Sequence, residues 1–152
     1  MRRVIAVLLI GVTGHCAFAQ ANDAIDQGQV EQRIRDFVRV WEADERVGEQ
    51  AMITYYADYV TYYGKRWTRN QVLADKRHFI RAYPQRSYEI APGSLRTSCN
   101  AGRCVATAVL EWRRVREDGR SETGTSQLSL VLSASKGGRI VRESARTVSG
   151  AR

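Results

Sequence analysis

Tyr55-Tyr56-Ala57-Asp58-Tyr59-Val60-Thr61-Tyr62-Tyr63-Gly64, followed closely by Thr68-Arg69-Asn70-Gln71, is where the chain shows strand and helix side by side. Asp58 to Tyr63 is β-branched and aromatic and is closed by Gly64, the composition of a strand with its turn. Thr68 and Gln71 have the Ser/Thr-x-x-Glu/Gln spacing of a capping box, which predicts a helix from there to about Tyr83. Its apolar positions Val72, Leu73, Phe79, Ile80 and Tyr83 fall on one face, and Pro84 blocks continuation.

Toward the N-terminus, Val30, Ile34, Phe37, Val38 and Trp41 recur at helical spacing, with Asp26 and Gln29 as a capping box. A second, shorter helix is expected over Glu49 to Tyr56. Toward the C-terminus the period changes to two. Extended segments over Ser87 to Thr97 are broken at Pro92-Gly93, and Val105 to Arg116 is one long strand. Asp118-Gly119 turns the chain, Leu128, Leu130 and Leu132 alternate, and Gly137-Gly138 leads into Ile140 to Ser144. The plan is α+β: three helices covering one face of a curved antiparallel sheet.

The N-terminus carries a different signal. Arg2-Arg3, the apolar run Val4 to Val12 and Ala17-Phe18-Ala19 form the pattern of a cleavable export leader over residues 1–19. Cleavage after Ala19 would leave a polar linker over 20–28 and a single domain over 29–150, in the periplasm or outside the cell. The later sequence holds no apolar run long enough to span a bilayer. Of three cysteines, Cys16 leaves with the leader, while Cys99 and Cys104 bracket the turn-forming Asn100-Ala101-Gly102-Arg103. In an oxidising compartment that pair is expected to bridge a hairpin. The formal charge of +8 becomes +6 without Arg2 and Arg3. The arginines are interleaved with acids, as in Arg113-Arg114-Val115-Arg116-Glu117-Asp118, so a solvated mixed surface is expected rather than a nucleic-acid partner.

The element order, with Tyr55 to Gly64, Thr68, Asp75-Lys76-Arg77, Tyr88-Glu89-Ile90 and Gly102-Arg103-Cys104, resembles the nuclear transport factor 2-like superfamily, in particular exported bacterial members of its SnoaL-like and ketosteroid isomerase-like branches. The resemblance covers about residues 29–149. It implies a cone with a pocket between sheet and helices, used by some members for isomerase or hydratase chemistry and by others only for binding.

Lys76 is the most informative position, because it falls inside the arc of Val72, Leu73, Phe79, Ile80 and Tyr83. A lysine there must snorkel, pair with a carboxylate or meet a ligand anion; Asp58, Glu111 and Glu143 are the candidate partners. Tyr59 and Tyr62 face opposite sides of their strand, so one of them can line a pocket. Trp112 is expected in the core or lining the pocket. The remaining histidine, His78, falls opposite the buried arc, which argues against a histidine relay or a multi-histidine metal site. The sequence contains no phosphate-binding glycine loop, hydrolase motif or cofactor signature. The functional expectation is a non-catalytic exported binding domain for a small ligand or an envelope protein, with Lys76, Tyr59, Tyr62, Asp58 and Trp112 around the pocket. The alternatives are a SnoaL-like acid–base enzyme using Lys76, Asp58 and a tyrosine, or a structural envelope component dimerising through its sheet.

Overall fold

The computed structural model describes residues 26–151. The leader and most of the linker lie outside them. Three helices, α1 (Gln27–Val40), α2 (Glu45–Tyr55) and α3 (Arg69–Ala82), cover a seven-stranded sheet. Its strands are β1 (Tyr56–Tyr62), β2 (Lys65–Thr68), β3 (Gln85–Ile90), β4 (Arg96–Asn100), β5 (Arg103–Val115), β6 (Ser121–Ser133) and β7 (Arg139–Ala151). The order is β2-β1-β7-β6-β5-β3, with β4 also paired to β5.

The local chemistry explains most boundaries. Thr68 and Gln71 form the reciprocal box that opens α3: the Gln71 N–H donates to Thr68 Oγ1 at 3.3 Å and the Thr68 N–H to Gln71 Oε1 at 2.8 Å. Asp26 caps α1, but it accepts from the Gly28 N–H rather than joining Gln29 in a box. The second helix begins earlier than its sequence pattern suggests. Gly48 sits in its first turn, where an added Cβ would lie 3.4 Å from the Val40 carbonyl oxygen.

Two features depart from the expected sheet. It is mixed rather than antiparallel, because β1 pairs in parallel with β7, joining the first strand to the last. The β6–β7 register also shifts between Val131 and Leu132. Leu132 pairs with Ile140 and Val131 with Arg142, leaving Val141 as an extra residue in β7. That shift lets Ile140 and Glu143, three residues apart, both be buried.

β3 and β4 are consecutive pieces of one edge, pairing with Val115 to Leu110 and then with Thr107 to Arg103 of β5. Pro92 has no N–H for the ladder, and the gap is bridged by Ser94, whose hydroxyl accepts from the Val109 N–H at 3.1 Å. At the far end of β4, Ala101 and Gly102 both have positive φ (46° and 72°), the pattern of a two-residue type I′ hairpin. The disulfide joins Cys99 to Cys104, which are directly opposite.

The inner sheet face carries Ala106, Ala108 and Leu110 from β5 and Leu128, Leu130 and Leu132 from β6, against Val30, Ile34, Phe37 and Val38 of α1. Phe37 lies at the junction, with ring centroids 5.4–5.8 Å from Trp41, Tyr55 and Tyr56. Fully burying each such side chain contributes roughly 1.5–3 kcal/mol. Between α3 and the C-terminal half of β5 this packing opens into a cavity.

Candidate functional site

The cavity has a volume of about 290 Å³, near the lower end of ligand pockets at ~300 Å³. Trp41, Phe79, Tyr88, Leu110 and Trp112 form its apolar wall. Tyr63, Asp75 and Thr147, all exposed, mark its mouth. Lys76 lies at its floor, only 5 % exposed.

The floor is a closed network. The Lys76 ammonium donates to Glu143 Oε1, and the Tyr56 hydroxyl donates to Glu143 Oε2 at 2.5 Å. Both carboxylate oxygens of a fully buried Glu143 are therefore engaged. The ammonium also lies 3.8 Å from the Trp41 ring centroid and 5.2 Å from that of Tyr62, a desolvated cation–π arrangement. Burial pushes the Lys76 ammonium below its ordinary pKa, with the Glu143 charge and hydrogen bond opposing that shift. The Tyr56 phenol is pushed well up by burial and by the Glu143 charge, so it stays a donor.

Beside the floor, the Tyr62 hydroxyl donates to Asp75 Oδ2 at 2.7 Å. Tyr62 is itself held up by burial, then by the charge of Glu143. Tyr63 closes this side with φ 47°, the left-handed conformation that costs a tyrosine about 1 kcal/mol or more. Its N–H donates to the Glu143 carbonyl at 3.0 Å, and its ring meets that of Tyr62 edge-on at 4.7 Å. Its phenol is pushed up to about 12, chiefly by burial.

The wall differs. Trp112 lies across Gly124 of β6 and Gly150 of β7, where added Cβ atoms would come 2.5 Å and 3.4 Å from its ring. Its indole N–H donates to Ser126 Oγ at 2.9 Å. The Arg114 guanidinium stacks 3.8 Å from the Trp112 ring centroid and 4.9 Å from that of Tyr83. Four buried polar side-chain atoms among the described residues have no hydrogen-bond partner; Trp41 Nε1, Tyr88 Oη and Arg114 Nε are three of them, and all belong to cavity-lining residues.

Of the residues singled out in the sequence, Lys76 and Trp112 line the cavity, and Tyr62 stands directly behind Asp75. Glu143 is the partner of Lys76; Glu111 is exposed. Asp58 lies outside the cavity, exposed and ion-paired with Arg69. Tyr59 is also outside, 57 % exposed beneath the Arg66 guanidinium. Strand alternation explains Tyr59, since Val60 and Tyr62 take the inner face; Asp58 shares their parity and is turned out where the β1–β7 register shifts between Tyr56 and Thr61. Trp41, Tyr88 and Arg114 were missed. For Arg114 a signal existed, since it continues the inward alternation Ala108, Leu110, Trp112 on β5. Among the described residues no group of three His, Cys, Asp or Glu side chains is placed to hold a metal ion.

No family model matches the sequence, and no curated protein matches it. Solved structures do. A Kribbella flavida protein superposes with a TM-score of 0.68 at 12% identity, over 84% of this chain and 96% of its own. A nuclear transport factor 2-like superfamily protein from Salmonella enterica serovar Typhimurium superposes with a TM-score of 0.63 at 16% identity, over 82% of this chain and 94% of its own. The chain has the nuclear transport factor 2-like fold. A proposed scytalone dehydratase from Novosphingobium aromaticivorans shares this fold, with a TM-score of 0.66 at 11% identity over 80% of this chain and 83% of its own. At such identities the likeness concerns the nuclear transport factor 2-like fold alone, and the site must speak for the function.

Proposed function

We propose that the protein is an exported binding domain that takes a small molecule into the α3–β5 cavity and carries out no chemistry on it. One observation carries this: the ionisable pair at the floor is spent on itself, while the aromatic wall above it keeps polar atoms without partners. A general base needs a free lone pair within reach of its substrate. Glu143 is fully buried and does not line the cavity, and the Lys76 ammonium has no lone pair to offer. Export is supported by the leader pattern of residues 1–19 and by the Cys99–Cys104 bridge. An intact mass matching a chain that begins at Gln20 and is lighter by two hydrogens is the expected check.

Binding is tested with 2-naphthylmethanol, a neutral probe of suitable size, followed by quenching of tryptophan fluorescence. Saturable one-site binding is expected, and Ala145→Phe, at the cavity wall, should abolish it. An absence of saturation, or full binding by Ala145→Phe, would overturn the proposal.

A second reading, acid–base catalysis, is favoured by Asp75, the one carboxylate among the described lining residues, held by the Tyr62 phenol. A dehydratase assignment of one structural neighbour is consistent with it. Under that reading, Asp75→Asn would abolish turnover of a hydroxylated substrate while retaining its binding.

A further inference from the structure

We infer that the ligand is an aromatic carboxylate, oriented by Arg114, Tyr88 and Trp41. This rests on the binding role of the cavity and specifies the chemistry it selects.

The three unpartnered atoms belong to one class. An indole N–H and a guanidinium N–H can only donate, and a phenol donates best. Tyr88 is 6 % exposed, and burial holds its phenol well above the ordinary range, so it keeps its proton. Three donors without partners, on residues that line a largely apolar cavity, call for an occupant with acceptor oxygens, and because each atom is itself shut off from the empty cavity the occupant must draw it in.

Neighbouring contacts bring these donors into one region. Tyr88 is the cross-strand partner of Trp112, and Arg114 follows two residues later on the same face of β5. The Arg114 charge acts on the Tyr88 phenol, opposing the shift caused by burial. Trp41 meets Tyr88 edge-on, with ring centroids 5.2 Å apart.

The balance of charge selects a carboxylate over a neutral carbonyl or an amine. Lys76 is neutralised by Glu143. Glu122 Oε2 is ion-paired with Arg114 Nη2 at 3.8 Å, a looser contact than the 2.9 Å hydrogen bond from Arg116 Nε to Glu122 Oε1. Arg114 is therefore the cavity cation held by the looser pair, and its Nε has no hydrogen-bond partner. Its Nε edge can take a planar carboxylate side-on, as arginine does where such recognition is needed. The aromatic wall would cover the flat body of the ligand. Asp75, at the mouth beside Tyr62 and Tyr63, disfavours placing the anionic end there.

The experiment compares 2-naphthoate, 2-naphthylmethanol and 2-naphthylmethylammonium by calorimetric titration of the intact mature protein. 2-Naphthoate should bind at least about tenfold more tightly than the alcohol, the size expected of hydrogen bonds to a charged group. The ammonium should bind more weakly than either. Arg114→Met should bring the carboxylate-to-alcohol ratio close to one. Tyr88→Phe should weaken 2-naphthoate roughly three- to tenfold while raising the melting temperature of the ligand-free protein. That pairing of opposite effects separates a ligand donor from a packing residue. The Phe variant removes only an oxygen without a partner, so it remains informative if Arg114→Met fails to fold. Equal affinities for carboxylate and alcohol, or 2-naphthoate binding indifferent to Tyr88→Phe, would overturn the inference while leaving the binding role intact. If none of the three probes binds, both fail.

Discussion

At the floor of the cavity, Lys76 and Tyr56 each donate to Glu143, whereas along the wall Trp41, Tyr88 and Arg114 each retain a polar atom without a hydrogen-bond partner. Both regions are buried and rich in aromatic rings, so burial does not distinguish them. The difference lies in which polar groups are satisfied within the chain. A buried ion pair resists change, because removing one member strands the other. A buried donor without a partner weakens the free protein and is recovered when an acceptor arrives. The first arrangement suits a fixed support, and the second suits a site.

The largest effect should come from breaking the floor. Glu143→Leu leaves the Lys76 ammonium buried and unpaired, and about 3–5 kcal/mol of stability should be lost in urea unfolding. Adding Lys76→Met should restore most of that loss, because the two sites are coupled rather than additive. A double variant no more stable than Glu143→Leu alone would show that the network is not a unit.

The wall should respond next, through its glycine support. Gly124→Ala would put a methyl group 2.3 Å from the Ser149 carbonyl oxygen and 2.5 Å from the Trp112 ring. Overpacking of this kind costs about 1–3 kcal/mol, and here it should also displace Trp112. A shift in near-UV circular dichroism together with a lowered unfolding midpoint is the expected result.

Raising the pH should weaken both regions gradually. The phenols of Tyr56, Tyr62, Tyr63 and Tyr88 all have folded pKa values raised above the ordinary 10.0, Tyr63 to about 12. A raised phenol contributes stability that is complete below about pH 10 and is lost as the pH climbs through the folded value. The lowered pKa of Lys76 acts in the opposite sense, adding stability as the pH rises toward its unfolded value near 10.5. Four groups outweigh one, so urea midpoints should fall between about pH 10 and 12. A midpoint flat across that window would contradict the burial of these hydroxyls.

The smallest effect has the opposite sign. Tyr88→Phe should stabilise the ligand-free protein by about 1 kcal/mol, the cost of keeping a buried hydroxyl without a partner. The corresponding change at the floor, Tyr56→Phe, should destabilise by a similar amount, since Glu143 would lose a donor.

The sequence made the helices and long strands legible wherever local chemistry fixes them. The Thr68–Gln71 box, the Asn100–Arg103 hairpin and the break at Pro92 were all predicted from short-range rules. The pairing of β1 with β7 was not, because it joins segments some eighty residues apart and no local pattern records a partner. The same limit hid the choice of Glu143. It was one of three candidate acids for Lys76, but strict alternation from Ile140 would have turned it outward, and only the extra residue Val141 brings it in. Asp58 and Tyr59 were put near the pocket because they belong to a strand that reaches it, yet their own positions face away. Lys76 was located by helical periodicity alone, and what it does there depends on contacts across the sheet.

The division between a closed floor and an open wall is tested most directly by titrating 2-naphthoate into the folded Lys76→Met/Glu143→Leu double variant. An affinity within about threefold of the unmodified protein is predicted, a change smaller than the loss of one hydrogen bond to a charged group (about 1.5–3 kcal/mol), because the carboxylate contacts lie on the wall. Loss of binding by a double variant that remains folded would contradict the account and make the floor, rather than the wall, the anchor of the ligand.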